Sequence, residues 1–205
     1  MTMATAAEKL DLYKTHKNDY AATKDPKILK ISRAKYLTIE GHGEPGGTEF
    51  QNRLGALYAV AYTIKMTEKF AGRDYKVCGL EGLWWVPDGK NWNAAARETW
   101  QWNLIIRVPE FITSKHLKAA LEKCAAKGRT EPVGEVRLEE IAEGRCVQML
   151  HVGPYATEPE SIRRMEESVA AQGLKLCGRH HEIYLSDPRR VPPERLKTIL
   201  RHPVE

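Results

Sequence analysis

The chain repeats itself, and that repeat limits what it can fold into more than any single motif does. Arg145-Cys-Val-Gln-Met-Leu-His-Val-Gly153 stands 110 positions after Lys35-Tyr-Leu-Thr-Ile-Glu-Gly-His-Gly43. Both are short alternating runs that end in a glycine turn, as strands do. A helix start follows each. Thr48 precedes Gln51 by three, and Thr157 precedes Glu160 by three, a capping-box spacing. In the first helix Phe50, Leu54, Leu57, Ala61 and Ile64 form one apolar stripe. In the second, Ile162, Met165 and Val169 do so, with Gly173 suited to the C-terminal cap. Lys-apolar-Cys-Gly then recurs, as Lys76-Val-Cys-Gly79 and Lys175-Leu-Cys-Gly178. After it, Leu104 to Pro109 aligns with Ile183 to Pro188 as a strand ending in proline. Leu117-Lys118 aligns with Leu196-Lys197 as a closing helix. The pattern predicts two copies of a β-β-α-β-β-type unit. Each is too small to be comfortable alone, so they should pack together. The expected organisation is one domain over residues 1–205, with repeats at 27–128 and 133–205 and an N-terminal extension at 1–26.

The offsets place an asymmetry. Cys78 and Cys177 are 99 positions apart, but Leu104 and Ile183 only 79, which assigns twenty extra residues to the first copy. All five tryptophans fall between Trp84 and Trp102. Trp84, Trp85, Trp92 and Trp100 lie in the added segment, and Trp102 follows at once. Such rings either plug one end of a sheet or form a lid over a pocket for flat apolar ligands.

Composition excludes several classes. With 42% hydrophobic and 29% charged residues the 205-residue chain is globular and not disordered. Its longest uncharged apolar stretch, Leu54 to Ile64, is too short to cross a bilayer, and the N-terminus lacks a secretory pattern, so a cytoplasmic protein with no membrane partner is expected. Cys78, Cys124, Cys146 and Cys177 show no CxxC or zinc-finger spacing; reduced thiols and no metal or cofactor are expected. The net charge of +5 is spread along the chain without a nucleic-acid-binding motif, so no direct nucleic-acid binding is expected.

The segment His180-His-Glu-Ile-Tyr-Leu-Ser-Asp187 carries the candidate chemistry. On a strand, alternate residues share a face. Ile183 and Leu185 would enter the core under the helices; His180, Glu182 and Tyr184 would share the opposite face, matched in copy one by Gln101, Asn103 and Ile105. A buried Glu182 would have a raised pKa suited to acid–base work or to a cationic ligand; an exposed one would be a solvated surface residue. Glu81, beside Gly82 and Trp84-Trp85, is a second pocket acid or a surface residue. His151-Val-Gly-Pro-Tyr155 precedes a helix, and Tyr155 is either a pocket hydroxyl or a packed turn residue. Ser186 and His180 lie roughly 20 Å apart on a strand, too far for a catalytic triad. His180 and His181 point to opposite faces, which argues against a joint metal site. Cys78 and Cys177 read as small buried hydrophobes.

The pieces Leu80-Glu-Gly-Leu-Trp-Trp85, Trp100-Gln-Trp102, Cys146 to Tyr155 and His180 to Arg190 resemble the stand-alone GyrI-like small-molecule-binding proteins. The resemblance implies an α+β fold. Two β-α-β-β (SHS2) units stand in tandem, with antiparallel sheets, helices on one face and a ligand cleft between the halves. Relatives include effector-binding domains of multidrug sensors and a gyrase inhibitor. In the sensors a glutamate on a late strand receives cationic aromatic drugs, and Glu182 is the position that resembles it. The stand-alone branch is similar to cyclopropanoid hydrolases, which detoxify DNA alkylators by adding water across a strained ring. The resemblance therefore implies a flat aromatic or amphipathic ligand. Glu182, Tyr155 and Glu81 are the implied catalytic residues, and Trp84, Trp85, Trp102, Tyr184, His180, Asn103 and His151 line the ligand site. Non-catalytic drug binding and modulation of a protein partner are the alternatives. The spacer Val86 to Glu98 is longer than in many relatives, and Trp102 would face the pocket only through a bulge.

Overall fold

The structure, a computed structural model, describes residues 9–87, 95–129 and 132–205. Trp92 and most of the spacer centre lie outside the described residues. The elements run in order α1 (Leu12–Thr15), β1 (Lys27–Ile31), β2 (Ala34–His42), α2 (Thr48–Phe70), β3 (Glu81–Trp85), β4 (Gln101–Val108), α3 (Ser114–Ala125), β5 (Arg137–Ile141), β6 (Gly144–Val152), α4 (Glu158–Ala170), β7 (His180–Tyr184) and β8 (Lys197–Pro203). The eight strands form one antiparallel sheet in the order β1-β6-β8-β7-β3-β4-β2-β5. This is an α+β fold. β5 and β6 repeat β1 and β2 at the offset of 110 positions seen in the sequence. β1 does not pair with β2, its chain neighbour. It pairs with β6, while β5 pairs with β2. The first strand of each repeat thus completes the sheet of the other.

α2 lies over β2 and β4, α3 packs against α2, and α4 lies over β6. The apolar stripe of α2 is as spaced in the sequence: Phe50, Leu57, Ala61 and Ile64 are buried against Leu37, Ile39, Leu104 and Ile106. The expected capping boxes at Thr48 and Thr157 do not form. α2 is capped by Gly47, and the Thr157 hydroxyl donates to the Pro154 carbonyl. The box appears instead on α3, where the Thr113 backbone N–H donates to His116 Nδ1 at 3.1 Å.

Two sequence expectations are corrected. Leu196 to Leu200 is not a closing helix: strand β8 begins at Lys197 and pairs with β6 and β7. Its side chains are covered on both sides of the sheet, so neither period stands out in the sequence. β7 is therefore the counterpart of β3, not of β4, at the 99-residue offset of Cys78 and Cys177. The connections 86–100 and 185–196 are of similar length, and there is no twenty-residue insertion. Trp84 and Trp85 sit on β3 and Trp102 on β4, inside the sheet.

Candidate functional site

The two innermost strands, β3 and β7, run under the gap between α2 and α4. Pairing fixes which side chains face that gap. Trp84 stands opposite Trp102 and His180, and Gly82 opposite Leu104 and Glu182. Glu182 in turn stands opposite Leu200, and Tyr184 opposite Thr198. Leu104, Leu200, Trp84 and Trp102 belong to the core under the helices. Paired residues share a face. His180, Glu182 and Tyr184 are therefore on the helix side, the reverse of the sequence expectation. Ile183 faces the other way, and Leu185 is exposed beyond the strand. The expectation failed because it took the helix-free face to be the open one. Trp102 needs no bulge to join Glu182, whereas Asn103 turns away from it.

On the helix side, the Tyr184 hydroxyl donates to Glu182 Oε2 at 2.7 Å. His180 Nε2 lies 3.8 Å from Glu182 Oε1, with no guanidinium or ammonium in ion-pair contact with that carboxylate among the described residues. Burial raises the Glu182 pKa to about 7, against the Tyr184 hydrogen bond that lowers it. Burial also holds His180 well below its ordinary value, so the ring is neutral. Glu158, the first residue of α4, is the site residue the sequence reading missed. It is buried, accepts a hydrogen bond from Thr198, and is pushed well above the carboxylate range by burial and by the nearby Glu182. In the sequence it reads as an ordinary first-turn acid, because nothing there shows that Thr198 lies under it.

Tyr155 is partly exposed on the turn before α4, its ring edge-on to Tyr184 at 6.0 Å, and its hydroxyl is pushed up to about 12 by burial. His151 holds that turn. Its Nδ1 meets Ser161 Oγ at 2.9 Å, and its Nε2 lies 3.3 Å from both the Pro154 carbonyl and Thr157 Oγ1. It therefore positions Tyr155 and Glu158 through the turn. The aromatic wall is Trp84, stacked on Phe50 at 6.2 Å and edge-on to Trp100 at 5.7 Å, with Trp102 edge-on to Phe50 at 5.2 Å. Gly82 and Gly41 make room for it. A Cβ on Gly82 would meet Trp84 Nε1 at 2.8 Å, and one on Gly41 would meet the Trp102 ring at 2.1 Å.

The opposite face holds Glu81, Trp85 and Asn103, so the structure does not bring them to Glu182. Glu81 Oε2 bonds His181 Nε2 at 3.0 Å, His181 Nδ1 bonds Glu143 Oε1 at 2.9 Å, and Arg201 donates to Glu143 Oε2 at 2.6 Å. The N-terminal residues strap over this network: Tyr20 donates to Glu81 at 3.1 Å, Asp19 bonds Arg107 at 2.9 Å, and the Asp19 carbonyl accepts from Arg201. Glu143 and Glu81 together raise His181 to about 9 against its burial, so the imidazolium is part of the fold. Trp85 carries the Arg179 guanidinium 3.6 Å over its ring. Burial pushes the Cys78 thiol up to about 12, far from a nucleophile. A separate shallow groove of about 670 Å³ lies on the outer side of α2, lined by Tyr58, Tyr62, Met66, Phe70, Lys123 and Lys127, away from Glu182.

A family model described as the GyrI-like small molecule binding domain matches residues 24–205. No curated protein matches the chain. Among solved structures, a conserved protein from Listeria innocua is 38% identical, with a TM-score of 0.90, over 96% of this chain and 100% of its own. A hydrolase from Listeria innocua is 36% identical, with a TM-score of 0.87, over 97% of this chain and 100% of its own. A further structure of a hydrolase from the same organism is 37% identical, with a TM-score of 0.85, over 96% and 100%. No helix among the described residues is long and apolar enough to cross a membrane.

Proposed function

The chain belongs to the GyrI-like small-molecule-binding family, and on that premise we propose that it is a cytoplasmic hydrolase of flat, strained electrophiles. Cyclopropane-bearing alkylators are the substrate class, and detoxification is the outcome. One observation carries the reading: a buried mid-strand carboxylate, Glu182, held near pH 7 beside an aromatic wall and one tyrosine hydrogen bond. A base with a pKa near the working pH is the kind that activates water well. Relatives described as hydrolases at 36% and 37% identity support the same reaction class.

The steps balance as an addition of water. The water oxygen forms a bond to the less hindered cyclopropane carbon while Glu182 takes one of its protons. The strained C–C bond breaks, and its electron pair moves into the conjugated carbonyl. The developing oxyanion receives a hydrogen bond from Tyr155 and then the proton that Glu182 took, passed on through solvent, which gives the ring-opened alcohol and restores the carboxylate. Trp84, Trp100 and Trp102 hold the flat ring system against this edge, with His180 neutral behind it. The two repeats act as one unit, since the strip between their helices is made by both. No nucleic-acid or membrane partner enters the scheme.

The test is to incubate the protein with a cyclopropane-bearing alkylator and follow ring-opened product. Wild type should exceed buffer, with rates rising through about pH 7 as Glu182 loses its proton. Glu182→Gln should be slower by about 10²–10⁴-fold. Equal rates for wild type and Glu182→Gln remove Glu182 from the chemistry; no rate above buffer ends the enzyme reading. A second reading, a non-catalytic binder of amphipathic drugs, is favoured by the closeness of two buried carboxyls, Glu158 and Glu182, to aromatic rings. Tryptophan quenching without turnover would select it.

A further inference from the structure

Folded proteins leave few buried polar atoms without a partner, because each costs its lost hydration. Two such atoms face the strip between α2 and α4. Trp84, 2% exposed, has its Nε1–H buried with no hydrogen-bond partner among the described residues. Glu158, 5% exposed, has Oε1 in the same condition, while its carboxyl also takes the Thr198 hydroxyl. They lie on either side of Glu182. Trp84 Nε1 sits over Gly82 on β3, the residue opposite Glu182. Glu158 sits over Thr198 on β8, the strand on the other side of β7. From β3 to β8 is two strand spacings, and Thr198 lies two residues along β8 from Leu200, which is in line with Gly82, so Gly82 and Thr198 are about 12 Å apart.

We propose that Trp84 Nε1–H and Glu158 Oε1 are the two polar anchors of the ligand, which is a neutral, flat molecule with a hydrogen-bond acceptor at one end and an N–H or O–H donor at the other. The inference rests on the strip being the binding site, as the proposed function has it, but not on turnover. It gives Trp84 a polar task beyond stacking and makes Glu158 a specificity residue. It also separates substrates. A carbonyl-bearing polycycle with a phenol or ring N–H satisfies both anchors at once. A delocalised organic cation satisfies neither, and gains only from the carboxylates and the rings. A site built to hydrogen-bond its ligand rejects analogues that leave those groups unpaired. The acceptor end belongs on the Trp84 side because an indole nitrogen can only donate. The donor end belongs on the Glu158 side because its free oxygen lies on a carboxyl whose other contact is already made.

Calorimetry at pH 6.5 with 6-hydroxy-2-acetonaphthone, a neutral flat probe with a hydroxyl and a carbonyl at opposite ends, tests this. The 6-methoxy analogue deletes the donor, 6-ethyl-2-naphthol deletes the acceptor, and N-methylacridinium provides a flat cation with neither. Wild type should prefer the first probe over each deleted analogue by about tenfold or more. Glu158→Leu should erase the preference for hydroxyl over methoxy, and Glu158→Gln, which keeps an acceptor oxygen, should restore most of it. Trp84→Phe should erase the preference for the carbonyl while keeping the preference for hydroxyl over methoxy, which also shows that the variant is folded. Absence of any preference in wild type, a hydroxyl preference that survives in Glu158→Leu, or a carbonyl preference that survives in Trp84→Phe overturns the proposal. The hydrolase reading stands or falls separately, on product formation.

Discussion

Strand β7 sets two neighbouring residues in opposite circumstances. His181 faces the strap side, where both ring nitrogens are bonded to carboxylates and the network runs on through Arg201 and Gln148 without a break. Glu182 faces the helix side, with one tyrosine donor and with two buried polar atoms nearby still unpaired. Both faces are buried and both carry charge, so burial does not tell structure from function here. The pairing of carboxylates with cations does. On the strap side Glu81, Glu143 and Asp19 meet His181, Arg201 and Arg107, three carboxylates against three cationic groups, although Arg107 Nη2 and Asn103 Oδ1 have no hydrogen-bond partner among the described residues. On the helix side the shortfall is what a ligand would fill.

The contrast can be broken by removing one member from each side. His181→Ala leaves Glu81 and Glu143 buried without their cation and should lower stability by about 3–5 kcal/mol in urea unfolding. Glu182→Gln replaces a carboxyl that is half-protonated near neutral pH, so its unfolding midpoint should stay within about 0.5 kcal/mol of wild type or rise. If the two substitutions cost the same, the contrast is wrong. Gly41→Ala, whose methyl would enter the Trp102 ring, should cost about 1–3 kcal/mol by strain and weaken ligand binding only indirectly. The remaining effect is in pH. Because the folded His181 titrates at about 9, above its ordinary 6.5, its stabilisation is complete below about pH 6.5 and is lost as pH rises through 9. Thermal scans from pH 7 to 9.5 should show a falling Tm in wild type that is flatter in His181→Gln.

Much of this frame was legible in the residues. The offset of Lys35 and Arg145 located β2 and β6, the α2 stripe located the helix over the sheet, and Trp84 does share a face with Glu182, whereas Trp85 does not. Three things were not legible, each for a physical reason. β8 looked like the counterpart of α3 because an apolar strand covered on both sides carries no clear period. The face of Glu182 was inverted because alternation fixes only that His181 and Glu182 differ, not which one meets the helices. Glu143 reads as a loop acid, and Asp19 and Tyr20 as part of a lysine-dotted extension; their part in the buried network exists only after distant segments meet. Glu158 was hidden in the same way.

The exchange of first strands has a consequence for how the molecule comes into being. β1 is made early, but its partner β6 begins more than a hundred residues later, and β5 must travel back to β2. Contacts of such long range slow folding, since the closing loops must form before they are rewarded. A nascent chain that has emerged only as far as α3 holds β1 without its partner and β2 with a bare edge. The two repeats cannot mature in turn on the ribosome, and cutting the chain at residues 129–132 should yield two fragments that are ordered only when mixed.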